Sequence, residues 1–478
     1  MTAIPHRPDD GVYDVAVIGG GIVGAAIARE LSGCDVSVAL LEARDDVGDG
    51  TSKANTAILH TGFDAKPGTL ESRLVARGYR LLSAYAKATG IPVEHTGAVL
   101  VAWNQEELDA LPGLKEKAEA NGYEHSRIIG ADEVYRSVPD LGEGVLGGLT
   151  VPDESIICTW TTNLALATDA QQRGTTILLK HAVTAVDTTD DVTVLSTEGG
   201  EVRARWVVNA AGLGADHIDR LFGHDRFTVT PRRGELFVFD KLTRPMVDKI
   251  VLPVPSSRGK GVLISPTIYG NVMLGPTAED LNDRTDTATS ENGYDFLLTK
   301  GERLMPRLLA EEVTASYAGL RAAIDHPDYL IEATPEQRYL LVGGIRSTGL
   351  TAGIAIAEHA RTLLEEAGLT LRDRGDLPEP PRMPNIGEAT TRPYQDAERI
   401  AADPAYGTVV CFCERVTEGE IRDACHAPVP ARSLEGLRRR TRAMNGRCQG
   451  FFCGAAVAAL RTQYQNHDGC SSQHKDNR

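Results

Sequence analysis

Apolar positions cluster most tightly at the start of the chain. Residues 14–18 form a short apolar run, and residues 36–41 form another. Between them Ala25, Ala26, Ile27, Ala28 and Leu31 recur at helical spacing. The pattern predicts strand, glycine turn, helix and strand, closing on Glu42. Residues 1–13 are polar and read as a disordered leader. Residues 43–70 are rich in Gly, Ser, Thr and Asn, too polar for a core and long for a simple connection. Such a segment beside a βαβ unit is expected to be functional. Residues 72–87 then read as a helix.

Further along the pattern changes. Residues 97–103 predict a strand and 105–121 a helix, and 91–155 as a whole reads as an α+β insertion. Residues 161–174 read as a helix, and several strands follow. The last of these, 206–211, ends at Ala211-Gly212-Leu213-Gly214, a second glycine turn suited to a nucleotide. Residues 226–325 hold several strands and a helix at 291–305, and predict an antiparallel sheet walling a cavity. At 339–358 the opening theme returns as strand, Gly343-Gly344 and a helix of small residues from about Leu350. The nucleotide-type body therefore resumes there, with the cavity body inserted in two pieces. Residues 377–391 are proline-rich and read as a linker.

The chain has 478 residues, room for two or three domains. A net charge of −16 argues against general nucleic-acid affinity. The N-terminus lacks the apolar region of a signal peptide. No apolar run reaches the roughly 18 residues a spanning helix needs, so membrane association is expected only through a partner. Of eight cysteines, four lie between 411 and 453. That crowding suits a reducing compartment and a metal site better than a disulfide framework.

Gly19, Gly21 and Gly24 fit G-x-G-x-x-G in the right context. Gly19 makes the turn, Gly21 lets backbone approach a pyrophosphate, and Gly24 lets helix pack on sheet. Ile22 and Val23 open the helix, whose N-terminus suits phosphate. Glu42 stands where an acid accepts from ribose hydroxyls. The alternative is an ordinary glycine-rich turn. Near the other end, Cys411-Phe-Cys413 and Cys448-Gln-Gly-Phe-Phe-Cys453 supply four thiolates in two close pairs. Zinc usually takes C-x-x-C pairs, so this spacing favours a 2Fe–2S cluster, with structural zinc or free or disulfide-bonded thiols as alternatives. Between the pairs, Thr417 and Glu420 predict a capped helix and Ser433 a second. Cys425 reads as a core residue, and Cys34, Cys158 and Cys470 have no evident partner.

These segments carry resemblances. The first 370 residues resemble the D-amino-acid-oxidase-like superfamily of FAD oxidoreductases. Residues 56–62 (TAILHTG), the PGTLESRLVARG after them and the later PVP…GVLISPT…VMLGPTAED resemble L-2-hydroxyglutarate dehydrogenases. The C-x-C…RRRTRAMNGRCQGFFCG stretch resembles the bacterioferritin-associated-ferredoxin-like domain in the large subunit of anaerobic glycerol-3-phosphate dehydrogenases. The implied fold is α/β: a Rossmann-type FAD-binding domain (14–90, 156–225, 326–370) with an inserted antiparallel-sheet substrate domain (91–155, 226–325). A linker (371–405) and a small helical 2Fe–2S domain (406–465) follow.

The resemblance also implies roles. Thr51, Ser52 and Lys53 lie where this fold returns to the pyrophosphate and flavin, although Lys53 also suits a solvated loop. Gly212, Gly344, Gly349 and Leu350 complete the FAD contacts. His60 is placed near the flavin, as a base or as a packing residue. Arg321 resembles the superfamily's cavity arginine, and Arg346 is expected to face the flavin or the same anion; a surface ion pair is the plainer reading of each. Arg438, Arg439, Arg440, Arg442 and Arg447 crowd the cluster motif. A solvated helix face suits most of them; offsetting cluster charge or docking an acidic partner is the alternative. The expected function is a cytoplasmic FAD-dependent dehydrogenase of a small anionic alcohol, glycerol 3-phosphate first. Electrons would leave through the cluster to another subunit or a quinone. L-2-hydroxyglutarate or another 2-hydroxy acid is the runner-up, then amino or imino acids. A non-enzymatic redox or scaffold protein with structural zinc is the alternative of another class.

Overall fold

The computed structural model describes residues 8–189, 191–255, 261–388 and 390–470, with side chains described to residue 465. Residues 1–7 of the expected leader and the Cys470 side chain lie outside the described residues.

The first sheet grows from the opening motif. Strand β1 (Val12–Ile18) pairs in parallel with β2 (Val38–Glu42) on one side and with Gly200–Asn209 on the other. Thr176–Leu179 extends the parallel core beyond β2, and Tyr339–Gly343 extends it beyond Gly200–Asn209. Antiparallel strands at Val183–Thr188, Thr193–Thr197 and Leu330–Thr334 complete eight. Helix α1 (Ile22–Leu31) buries its alanines against Gly349–Glu366 and Thr159–Gln172, so small residues let three helices close over one face of the sheet.

The second sheet has nine strands drawn from both expected insertions. Its spine is the antiparallel pair Thr230–Phe239 and Val313–Ala323, which sets Arg232 opposite Arg321. It is not antiparallel throughout, as the sequence suggested: Ile250–Pro253 runs parallel to Ala98–Ala102. That parallel joint is where the two segments meet, because strands so distant in sequence need no hairpin between them.

Helix ends fall within a few residues of the expected ones, and caps explain the shifts. Helix α2 (Leu70–Thr89) starts before residue 72 because Thr69 accepts from the Ser72 N–H. Thr159–Gln172 starts early because Cys158 Sγ accepts from the Thr161 N–H. The C-terminal body packs helices Glu418–His426, Leu434–Thr441 and Gly454–Cys470 around Val416, Ile421, Leu437 and Val457. Its first helix carries the expected capping box, with Thr417 N–H donating to Glu420 Oε2 at 2.9 Å. Cys425 is buried in this core. Among the described residues no helix is long and apolar enough to cross a membrane.

The proline-rich segment read as a linker lies against its neighbours. Met383 N–H donates to Thr89 O at 2.8 Å, and Arg374 donates to Arg173 O at 2.7 Å. Arg392, 1% exposed, pairs with Glu420 of the C-terminal body.

Candidate functional site

At the end of β1 the backbone is held from below. Gly19 N–H donates to Leu41 O at 2.7 Å. Gly20 and Arg44 N–H groups donate to the two oxygens of Glu42 at 2.8 and 2.9 Å. Burial pushes the Glu42 carboxyl pKa up, against the pull of those donors. At the start of α1 the Ile22 N–H donates to Ser52 Oγ at 2.9 Å. Gly19 takes φ 109°, and a Cβ on Gly24 would lie 1.8 Å from Gly19 O. Turn and helix therefore touch backbone to backbone. Over Gly21 only Ser52 Oγ comes near, at 3.2 Å from an added Cβ, so there is room above this residue.

That room belongs to a cavity of about 590 Å³ between the two sheets, within the usual range for ligand pockets. Gly19, Gly21, Ile22, Val23 and Glu42 line one end. Thr51 and Ser52, the Gly212 turn, and Gly344, Gly349 and Leu350 line its length, and His60, Arg321 and Arg346 share it. Two expected residues do not line it. Gly24 packs beneath the turn. Lys53 pairs with Asp49 at 3.0 Å, so the solvated-loop alternative describes it.

The polar groups in the cavity differ in what already holds them. His60 Nδ1 lies 3.0 Å from Glu154 Oε2, and Glu154 is fully buried. The other Glu154 oxygen accepts from the Thr61 N–H at 2.7 Å and the Thr61 hydroxyl at 2.9 Å. Arg346 has φ 55° and donates to Glu71 at 2.8 Å, tying its loop to α2; its charge is matched there. Arg284 pairs with Asp216 and Arg44 with Asp49. Arg321 donates to Thr277 O at 2.9 Å and forms no ion pair among the described residues, since Asp280 is taken by Arg232. Burial and the nearby Arg232 charge hold the Arg321 pKa below the ordinary arginine range. Sequence reasoning missed Glu154 and Glu71, whose partners are far off in the chain.

The four C-terminal cysteines converge. Cys411 ends the strand Val409–Cys411, and Cys453 directly precedes the last helix. The thiols interact in two pairs, Cys413 with Cys448 and Cys411 with Cys453. Backbone N–H groups, the Phe452 one foremost, lower the Cys448 pKa, while burial and Cys411 push Cys453 up to about 12. Among the described residues no group of three or more His, Cys, Asp or Glu is placed to hold a single ion. Four thiols in two pairs match the donor number of a two-iron cluster.

The arginines around this motif are not a solvated helix face, and that expectation is corrected. Arg440 donates to both oxygens of Asp46 at 2.7 Å, and Arg439 bridges Asp46 and Asp49. Arg442 pairs with Glu414 at 2.8 Å and lies 4.1 Å over the Tyr269 ring, which stacks on Trp160. Arg438 and Arg447 are the more exposed members, on Glu435 and on Asp240. The C-terminal body is thus seated on the 43–53 loop, whose Ser52 meets the start of α1.

This seat has a pH signature. Burial raises the Asp46 and Glu414 carboxyls, but Arg440 with Arg439, and Arg442 with Lys241, more than offset it. Both end below their ordinary values of about 3.9 and 4.3. Their stabilisation is therefore present above those values and is lost as pH falls through the depressed folded values. Limited proteolysis within 371–405 should stay slow from about pH 8 to 5 and quicken below about pH 4. Quickening on going up from pH 5 to 8 would contradict the assignment.

Comparison with known proteins gives the cradle and the thiols a family. Residues 14–363 match the FAD dependent oxidoreductase family, and residues 409–460 match the BFD-like 2Fe-2S binding domain. The glycine cradle with Glu42 and open room over Gly21 fits FAD, and the paired thiols fit the cluster. A glycerol 3-phosphate dehydrogenase of Caloramator mitchellensis is 34% identical over 94% of each chain. The L-2-hydroxyglutarate dehydrogenase of Escherichia coli strain K12 is 30% identical, over 56% of this chain and 64% of its own. A solved structure of L-alpha-glycerophosphate oxidase from Mycoplasma pneumoniae with FAD bound, reduced by dithionite, superposes with a TM-score of 0.75. It is 29% identical, covering 78% of this chain and all of its own.

Proposed function

Because this chain belongs to the FAD dependent oxidoreductases and carries a BFD-like 2Fe-2S domain, we propose that it is a dehydrogenase of sn-glycerol 3-phosphate. Bound FAD supplies a hydride acceptor and the cluster a one-electron outlet. Gly19, Gly21, Ile22, Val23, Glu42, Thr51 and Ser52 hold the cofactor's phosphate and ribose parts. Gly212, Gly344, Gly349 and Leu350 wall the rest, Gly24 keeps α1 on its strand, and Cys411, Cys413, Cys448 and Cys453 hold the irons. His60 takes the hydroxyl proton at Nε2 while the carbon gives up hydride, so the secondary alcohol becomes a ketone. Arg321 binds the anion, and Arg346, matched by Glu71, shapes the wall.

The observation that carries the substrate choice is charge. Arg321 is the cavity arginine without an ion pair among the described residues, while Arg44, Arg284 and Arg346 each face a carboxylate. One unmatched guanidinium suits a substrate with one anionic group, and a 2-hydroxydicarboxylate has two. The Caloramator likeness, which runs through both parts of the chain, supports the same choice. L-2-hydroxyglutarate is the second reading, from the N-terminal likeness. A cytoplasmic setting suits a chain with no disulfide among the described residues, with another subunit or a quinone receiving the electrons.

Anaerobic titration separates the readings: glycerol 3-phosphate should bleach the oxidised flavin band and L-2-hydroxyglutarate should not. Bleaching by the second alone, or only by amino or imino acids, would overturn the choice. Arg321→Leu should raise KM about thirtyfold, about 2 kcal/mol for one charge-assisted pair, with a smaller change in kcat. An unchanged KM would remove Arg321 from the anion site.

A further inference from the structure

We infer that Glu154 is a positioning residue that fixes the tautomer of His60. The inference rests on the reading of His60 as the base and deepens it. Glu154 is 0% exposed; its Oε1 accepts from the Thr61 N–H and hydroxyl, and its Oε2 lies 3.0 Å from His60 Nδ1. It stands just before Ser155–Ile157, which pairs with Ile58–Leu59, so the sheet brings it to His60 across 94 positions of sequence. Burying a carboxylate is costly unless its hydrogen bonds are specific and complete. Here Oε1 takes both Thr61 donors and Oε2 faces His60 Nδ1.

A carboxylate oxygen can only accept. Its neighbour Nδ1 must therefore carry the hydrogen, and the lone pair of the neutral ring falls on Nε2. That is the nitrogen a base needs if it is to take a hydroxyl proton from the cavity. When the proton arrives, the ring becomes a cation facing a buried anion, which stabilises the transferred state. The His60 backbone is fixed separately, by its N–H on Thr351 Oγ1 at 3.0 Å. Ring state and backbone position are thus set by different residues.

Glu154→Gln separates positioning from mere support. The amide keeps an oxygen for Thr61 and turns an NH2 towards His60 Nδ1, making Nδ1 the acceptor and moving the hydrogen to Nε2. In the holoenzyme labelled with 15N-histidine, the His60 resonances, identified by their loss in His60→Asn, should show hydrogen on Nδ1. In Glu154→Gln they should show it on Nε2, with the rate of flavin bleaching by glycerol 3-phosphate down about a hundredfold and KM within about threefold. Thr61→Val removes a donor to the other oxygen and should leave the tautomer as it was. If Glu154→Gln is too unstable to purify, a Thr61→Val protein whose tautomer has switched overturns the inference. So does a Glu154→Gln protein with the hydrogen still on Nδ1 and bleaching at full rate. A His60→Asn protein that bleaches normally instead removes the base reading beneath it, so the two failures are distinguishable.

Discussion

Gly24→Ala is expected to yield protein without flavin. The added methyl would sit 1.8 Å from Gly19 O, in a turn held by the Gly19 N–H on Leu41 O at 2.7 Å. Neither side can yield by a rotamer change, so α1 must lift from β1. The helix is wedged beneath Gly349–Glu366 and Thr159–Gln172, so lifting it disturbs the centre of the first body. Overpacking of a tight core commonly costs 1–3 kcal/mol, and a backbone clash this deep should exceed about 3 kcal/mol. Gly21→Ala is the control. Its methyl meets Ser52 Oγ and no fixed backbone, so the fold should hold while the methyl projects over the cavity and weakens FAD binding, lowering Tm by no more than the lost flavin accounts for. Absorbance at the flavin band and thermal melting of both proteins check this. A Gly24→Ala protein with full flavin content would contradict the close-contact account.

Arg440→Ala should unseat the cluster body. The guanidinium is 5% exposed and satisfies both Asp46 oxygens along with the carbonyls of Val429 and Gly436. Removing it leaves a buried Asp46 carboxylate with Arg439 as its remaining partner. Breaking a buried pair from one side costs about 3–5 kcal/mol. Arg440→Lys should rescue little, because a point charge cannot reproduce the two-pronged contact. The paired change Asp46→Asn with Arg440→Met should cost less than the two single changes together, since the single ones each strand a charge. The readout is proteolysis within 371–405 with Tm, and cost in Tm without faster cleavage would show that the pair stabilises one body rather than the seat. Flavin content should fall as well, because Asp46 belongs to the loop whose Ser52 meets the start of α1.

Local chemistry was the legible part of the sequence. Gly19 to Glu42 spells out strand, turn, helix and acid contiguously, and Cys411 to Cys453 declares a four-thiol site by spacing, although the thiols that meet are Cys413 with Cys448 and Cys411 with Cys453. Thr417 and Glu420 announced their helix because a capping box is local, its two partners three positions apart. What escaped was chemistry assembled across the chain. Arg438 to Arg442 on a short helix looks solvated until Asp46 and Asp49, almost 400 positions earlier, are brought beneath it. Arg346 reads as an anion binder until Glu71 is found at its guanidinium. Glu154 carries no motif at all; only the pairing of Ser155–Ile157 with Ile58–Leu59 delivers it to His60. The same holds for the parallel joint of Ile250–Pro253 with Ala98–Ala102, which periodicity cannot specify.

The central claim is that one chain oxidises glycerol 3-phosphate and passes the electrons to its own cluster. Freeze-quench electron paramagnetic resonance of anaerobic protein mixed with glycerol 3-phosphate tests it most directly. The signal of a one-electron-reduced 2Fe–2S cluster should grow in after the flavin band has bleached. In a Cys413→Ser, Cys448→Ser double variant that signal should be absent while the flavin still bleaches. Bleaching of the flavin in the unaltered protein with the cluster left oxidised, at any substrate concentration, would contradict it.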